Sequence, residues 1–267
     1  MPLGRVWQSI FGPKPPALEP VEPLEITYQP IVNLATGFID KCEALCRPPG
    51  AGVDLAAYVA EAERTGSIQQ FNERVIDETL ADWRNNGPQN VALSINMSVT
   101  NLSEADLVQR IEKALVKHRF EAKRLWFEFD GRAQSTDDAA MLARLAELNK
   151  LDVRLSIDSF GAEFTQATLY EVERLHVGEL KVDGRYVRDA DADMRHRDVI
   201  TATVKVAQHL HIGVSAKGIE NESISALMLR LGCTHGQGYY FARPMDAGAV
   251  GALVDELARS GPLPTGR

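Results

Sequence analysis

From residue 25 onward, short runs rich in apolar and β-branched residues alternate with longer stretches of helical spacing, and few architectures can absorb that alternation. The runs fall near 26–34, 38–46, 91–96, 124–130, 153–158, 178–183, 211–216 and 237–241. Across 137–150, Met141, Leu142, Leu145, Leu148 and Leu151 recur at three- and four-residue steps, the spacing of one helix face. The stretch 103–118 opens with Ser103 as an N-cap and places Leu107, Val108, Ile111 and Leu115 on one side. Further helices are predicted over 193–210 and 222–231, the second stopped by Gly232. Eight strands with interleaved helices imply a closed α/β barrel of the (β/α)8 TIM type rather than an open sheet. The first two runs are only a few residues apart, around Ala35-Thr36-Gly37. That spacing reads as a hairpin, so one strand is expected to run antiparallel.

Residues 1–24 differ from the rest. Pro13, Pro15, Pro16, Pro20 and Pro23 crowd a stretch that cannot hold a helix or a central strand, so it reads as an extended linker. Before it lies Val6-Trp7-Gln8-Ser9-Ile10-Phe11. This is either a frayed tail or a docking peptide for a partner or for the domain itself, since exposed Trp and Phe are costly unless they pack. The expected organisation is a Pro-rich tail over 1–24, one barrel domain over 25–258 and a C-terminal tail over 259–267.

With 267 residues, 45% of them hydrophobic, the chain can bury one large core. A formal net charge of −8 with scattered basic residues argues against a nucleic acid polymer as partner. No apolar run approaches the length of a membrane span and no signal peptide is visible, so a cytoplasmic location is expected. The cysteines, Cys42, Cys46 and Cys233, are odd in number and form no CxxC pair, which argues against a disulfide framework or structural zinc. Cys42 and Cys46 read as inert packing thiols. His176, His196, His209, His211 and His235 show no converging ligand spacing and read as surface or packing residues.

In a (β/α)8 barrel the chemistry sits at the C-terminal strand ends. Glu43, Asn96, Glu128, Asp158, Lys181 and Lys217 all fall there. A lone carboxylate beside a loop is usually solvated or caps a helix, but barrel geometry points six such residues into one mouth. Three carboxylates and an amide form a hard oxygen site suited to Mg²⁺, Mn²⁺ or Ca²⁺.

Glu43-Ala44-Leu45 with Arg47, preceded by Tyr28-Gln29-Pro30-Ile31-Val32, resembles the signature of the bacterial EAL family of cyclic di-GMP phosphodiesterases. Matching segments follow in the family's order: Leu93-Ser94-Ile95-Asn96, Phe127-Glu128, Ile157-Asp158 with Phe160-Gly161, Leu180-Lys181-Val182-Asp183 and Gln237-Gly238-Tyr239. The resemblance spans about residues 25–250. It implies a modified barrel with one antiparallel strand and a first metal held by Glu43, Asn96, Glu128 and Asp158. It also implies Lys181 near the reacting phosphate, and Gln29, Arg47 and Gln237 at ligand-binding positions.

The chain also departs from the family's pattern. Asp158-Ser159-Phe160-Gly161 stands where the pattern has two aspartates, and Ala216-Lys217-Gly218-Ile219-Glu220 has Lys217 in place of a glutamate while Glu220 is kept. Glu128-Phe129-Asp130-Gly131 carries Gly131 in place of a second glutamate, and Gly161-Ala162-Glu163 replaces Gly-Thr-Gly. Ser159 and Lys217 together change the local charge by about three units, and two like charges 4 Å apart repel by about 4 kcal/mol at an effective dielectric of 20. Lys217 is therefore expected to oppose a second metal, either pairing with Asp158 or contacting a ligand phosphate. Two-cation hydrolysis would be lost.

The expectation is a pseudo-phosphodiesterase, not an enzyme, that requires no cofactor and holds at most one Mg²⁺ or Ca²⁺. It would act as a cyclic di-GMP receptor through a signalling protein partner. The alternatives are a nucleotide-independent adaptor and a very slow phosphodiesterase. The resemblance further implies a homodimer.

Overall fold

The computed structural model describes residues 24–48, 54–102, 104–130, 139–161 and 172–266. The Ser103 cap, the Val6–Phe11 stretch with its linker, Gly131 and Ala162-Glu163 lie outside these residues.

Eight strands close a barrel in chain order: β1 (Glu25–Asn33), β2 (Ile39–Arg47), β3 (Ala92–Asn96), β4 (Leu125–Asp130), β5 (Arg154–Phe160), β6 (Glu179–Val182), β7 (Gly213–Lys217) and β8 (His235–Gln237). β1 runs antiparallel to both β2 and β8, and every other neighbouring pair is parallel. The hairpin read around Ala35-Thr36-Gly37 is therefore the one departure from a regular (β/α)8 barrel. The Asn33 side-chain oxygen accepts from the amides of Ala35 and Thr36 at 3.0 and 3.1 Å, an Asx turn, and Gly37 takes φ +77°.

The last strand differs from its expected span of 237–241. At Gly238 the chain runs flush against Ile219, whose carbonyl oxygen would lie 2.0 Å from any added Cβ. Phe241 N then donates to Gly238 O at 3.1 Å, so Tyr239–Phe241 form a turn and the strand is His235–Gln237, sharing only Gln237 with the expected span.

The helices among the described residues pack outside. They are α1 (Leu55–Thr65), α2 (Ile68–Asn86), α3 (Val99–Leu102), α4 (Leu107–His118), α5 (Ala139–Lys150), α6 (Gly184–Arg188), α7 (Met194–Leu210), α8 (Glu222–Leu231) and α9 (Ala247–Ser260). Asp54, Asp193, Asn221 and Asp246 cap their helices by accepting backbone N–H bonds, and Gly232 ends α8 at φ +98°. α4 begins three residues later than the sequence spacing suggested, after Asp106. β1 is fixed to α2 by Tyr28, whose ring lies 4.9 Å from Trp83 and whose hydroxyl donates to Asp82 at 2.8 Å. Beyond α9, Leu263 N donates to Gly37 O at 2.9 Å and Ser225 Oγ donates to Thr265 O at 3.0 Å, tying this segment across the hairpin and α8.

Successive residues of a strand face opposite sides. Leu93, Ile95, Phe127, Phe129, Leu155 and Ile157 are buried against the helices, while the alternate positions Lys41, Ser94, Ser156, Glu179, Lys181 and Ser215 are equally buried but polar. The barrel is thus apolar outside and polar inside. Its lower layer is an ion pair, Lys41 Nζ to Glu179 Oε2 at 2.5 Å, with side chains only 4% and 2% exposed. Ser156 Oγ donates to the same Glu179 oxygen at 3.1 Å, and Lys41 lies 4.0 Å from the centre of the Trp126 ring. His235 completes the layer, its ring nitrogens 3.3 Å from Asp40 and 3.7 Å from Glu179.

Cys42, Cys46 and Cys233 are free thiols. Burial pushes them up, Cys46 to about 11 and Cys233 to about 12, so they stay protonated at neutral pH. Among the described residues no helix is long and apolar enough to cross a membrane.

Two consequences are measurable. Burial opposes ionisation of Glu179, but the charges of Lys41, His235 and Lys181 hold its carboxyl below the usual range. Its contribution is therefore complete above the unfolded carboxylate pKa of about 4.3 and is lost as the pH falls through the lower folded value. Lys41→Met leaves this charge buried without its ammonium and should cost roughly 3–5 kcal/mol in urea unfolding at pH 7. That deficit should narrow as the pH is lowered and Glu179 takes up a proton. Gly238→Ala should lower the melting temperature by several degrees, because the Ile219 backbone that it would meet cannot swing aside.

Candidate functional site

One layer above Lys41 and Glu179, the same strands carry Glu43 and Lys181. Lys181 Nζ is fully buried, 2.8 Å from Glu43 Oε2 and in closer contact with Glu128 Oε2, so strands β2, β4 and β6 meet on one ammonium. Glu43 also accepts from Asn96 Nδ2 at 2.9 Å and from Gln237 Nε2 at 2.9 Å. Gln237 donates to Gln29 Oε1 at 3.1 Å as well, and Gln29 reaches Ala242 O at 3.3 Å. Ser94 Oγ donates to the other oxygen of Glu128. The six residues Gln29, Glu43, Asn96, Glu128, Lys181 and Gln237 form one connected network.

Beside it, Lys217 Nζ lies 2.5 Å from Asp158 Oδ1, both side chains partly exposed. Ser159 adopts φ +56° where the β5–β6 register shifts between Ile157 and Phe160, and its hydroxyl donates to Asp158 Oδ2 at 3.5 Å. A left-handed backbone at a residue with a side chain costs of order 1 kcal/mol and is sustained by its surroundings. Arg47 ends β2 as an exposed side chain, and Glu220 is exposed beyond β7.

The electrostatics follow the geometry. Burial disfavours the Glu43 carboxylate, but the ammoniums of Lys181 and Lys217 and the Lys181 and Asn96 hydrogen bonds overcome it and hold the pKa down at about 2. Burial and the neighbouring Glu43 charge push Glu128 up. Lys181 would be deprotonated by burial alone; Glu128 and Glu43 reverse that and keep it charged. On acidification Glu128 therefore takes the first proton of this trio.

Ser94, which shares the proton-accepting side of Glu128, was not singled out in the sequence. Its position two residues before Asn96, on the same strand face, is the signal that would have found it. Next to the network a groove of about 1010 Å³ opens, with Asn96, Glu128 and Asp158 at one end and Leu45, Leu55 and Phe71 at the other.

The EAL domain family model matches residues 21–244. Among curated proteins, the chain is 30% identical over 237 residues to the bifunctional diguanylate cyclase/cyclic di-GMP phosphodiesterase MucR of Pseudomonas aeruginosa, covering 86% of this chain and 34% of that protein. It is 31% identical over 233 residues to the cyclic di-GMP phosphodiesterase NbdA of the same species, covering 85% of this chain and 30% of that protein. The chain thus spans about a third of the length of these relatives. Among solved structures, it resembles the PaMucR phosphodiesterase in complex with c-di-GMP, with TM-score 0.78, 29% identity, and coverage of 85% of this chain and 94% of that one. It also resembles the EAL enzyme Bd1971 in its cAMP- and cyclic-di-GMP-bound form, with TM-score 0.79, 27% identity, and coverage of 87% and 65%.

These likenesses correct one expectation. Ser159 and Lys217 suggested a chain that is no enzyme, yet the proteins it resembles over most of its length are named as phosphodiesterases and as an EAL enzyme. The physical reason is visible in the network: both substitutions lie at its margin, while Glu43, Asn96, Glu128 and Lys181 remain bonded to one another. A matching family model over most of the chain, a closed barrel with one antiparallel strand and a signature glutamate at the centre of the mouth lead to one conclusion: the chain belongs to the EAL domain family.

Proposed function

We propose that this chain binds cyclic di-GMP at the barrel mouth, passes the bound state to a protein partner and retains slow hydrolysis of the dinucleotide on a single cation. The observation that carries the reading is the network around Lys181, which holds Glu43, Asn96 and Glu128 together beside the Lys217–Asp158 pair. Arg47 and Lys217 would clamp the phosphates, the first through the guanidinium fork and the second as a point charge.

Among the described residues no three His, Cys, Asp or Glu side chains form a ready metal cradle, because Lys181 stands between Glu43 and Glu128 and Lys217 holds Asp158. The donor set still suits one hard cation. Its three carboxylates against two ammoniums leave one net negative charge, and Gln237 Oε1 is a buried acceptor without a partner among the described residues. Glu43, Asn96, Glu128 and Asp158 would hold that ion, which would lower the pKa of a bound water and offset phosphate charge. A second divalent ion would raise the balance to plus three, which Lys217 opposes.

The reading is tested by calorimetric titration with cyclic di-GMP in EDTA and in Mg²⁺, with turnover followed by chromatography. Binding at about 1 μM or tighter in EDTA, with hydrolysis only in Mg²⁺, is expected. No heat in either condition would overturn it in favour of a nucleotide-independent adaptor. Arg47→Ala should weaken binding roughly 10- to 100-fold, as loss of a charge-assisted bidentate contact does. Lys217→Met removes the charge facing Asp158 and should tighten Mg²⁺ binding by about tenfold or more while weakening nucleotide binding in EDTA.

A further inference from the structure

We propose that Ser215 is a positioning residue, the second seat of the Lys181 ammonium, to which Lys181 withdraws when Glu43 and Glu128 turn to a cation. The inference rests on the single-cation reading above and adds the residue that makes room for the ion.

The carboxylates of the mouth are already committed. Glu43 Oε1 accepts from Asn96 and its Oε2 from Lys181 and Gln237, while Glu128 Oε1 accepts from Ser94 and its Oε2 from Lys181. Of these donors only Lys181 carries a charge, so it alone repels a cation that the two carboxylates would share. For such a cation to bind, the ammonium has to move off, and a buried ammonium without acceptors is costly.

The lumen offers an acceptor. Ser215 on β7 is fully buried, and its Oγ is without a hydrogen-bond partner among the described residues. It stands in register with Lys181 on β6 and with His235 on β8. The lumen serines of two other strands are bonded: Ser94 Oγ donates to Glu128, and Ser156 Oγ donates to Glu179 at 3.1 Å. Ser215 departs from that pattern, and an unpaired buried hydroxyl calls for a reason. Its place beside Lys181 supplies one. An ammonium has three N–H donors, of which the Glu43 and Glu128 contacts use two.

The move also carries the charge toward the lower layer. Glu179 lies two residues before Lys181, on the same face of β6. Its Oε2 is taken by Lys41 and Ser156, whereas its Oε1 has the His235 ring at 3.7 Å. At Ser215 the ammonium exchanges the charges of Glu43 and Glu128 for that of Glu179 and stays compensated. Gln237 Oε1 is likewise without a partner among the described residues, but Gln237 is bonded to Glu43 and Gln29, at the level that Lys181 has to leave.

The test titrates Mn²⁺ into the metal-free full chain without nucleotide, reading free ion by electron paramagnetic resonance, and melts the same chains in EDTA. Ser215→Ala removes a hydroxyl that has no bond to lose, so its melting temperature in EDTA should equal or exceed the parent's. Its Mn²⁺ affinity should fall roughly 10- to 100-fold, because the displaced ammonium keeps an unpaired donor. Ser215→Thr, which restores the oxygen, should bind Mn²⁺ like the parent. Parent-like affinity in Ser215→Ala overturns the proposal, as does a Ser215→Thr chain that melts like the parent yet binds as weakly as Ser215→Ala. A melting temperature of Ser215→Ala below the parent's in EDTA overturns it too, since the hydroxyl would then be bonded at rest. Should Ser215→Thr melt lower than the parent, Ser215→Cys, of similar size to serine but a weaker acceptor, decides. Weakened Mn²⁺ binding in that chain supports the proposal, and parent-like binding rejects it. A parent chain that takes up no Mn²⁺ overturns the single-cation reading and this inference with it, whereas uptake that Ser215→Ala leaves unchanged overturns the inference alone.

Discussion

A fully buried ammonium, Lys181 between Glu43 and Glu128, is the constraint on which the barrel depends. Two carboxylates and an amine can be taken out of water only when their geometry is met from several sides at once. Here those sides are three different strands. β2 carries Lys41 and then Glu43, whereas β6 carries Glu179 and then Lys181, so the two layers bond across the barrel with opposite sign. Sliding one strand against the other by a layer would oppose Lys41 to Lys181 or Glu43 to Glu179. Charge order thus supplies a register that an aliphatic interior would not, since leucines tolerate a slip that like charges do not.

The polar interior leaves the apolar burial to the outer faces of the strands. Leu93, Ile95, Phe127, Phe129, Leu155 and Leu180 meet the helices, while small hydroxyls at Ser94, Ser156 and Ser215 make room inside for the lysines. A barrel with an apolar lumen keeps its chemistry in the loops above it. In this one the site continues downward from the mouth into the lower layer, and Lys181 contributes to folding and to the character of the site together.

The strands and the hairpin were legible because their periodicity is local: β-branched runs, a Gly-containing turn and a gap too short for a helix. The strand-end residues Glu43, Asn96, Glu128, Asp158, Lys181 and Lys217 were legible because barrel topology assigns them one face. The lower layer was not. Lys41 and Glu179, 138 residues apart and each near a strand start, carry no local signal of pairing, and only the closed barrel brings their side chains to 2.5 Å. The span of β8 was misread because aromatic Tyr239–Phe241 look strand-like, while the feature that ends the strand is the contact of Gly238 with a distant Ile219. The left-handed Ser159 had no local signal either, being set by a register shift between strands. Counting missing motif letters at Ser159 and Lys217 also misjudged the site, because it weighed the margin and not the bonded centre.

The antiparallel β1 reverses the polarity of one strand among eight. In a uniformly parallel barrel the first strand begins at the base, remote from the loops that carry chemistry. Here it begins beside the end of β2, with Glu25 opposite Arg47, so its N-terminus opens on the same rim where the parallel strands finish. The start of β1 and the residues of the mouth network therefore share one face of the barrel. A single inverted strand brings to the rim a chain end that a uniformly parallel barrel would leave at its base.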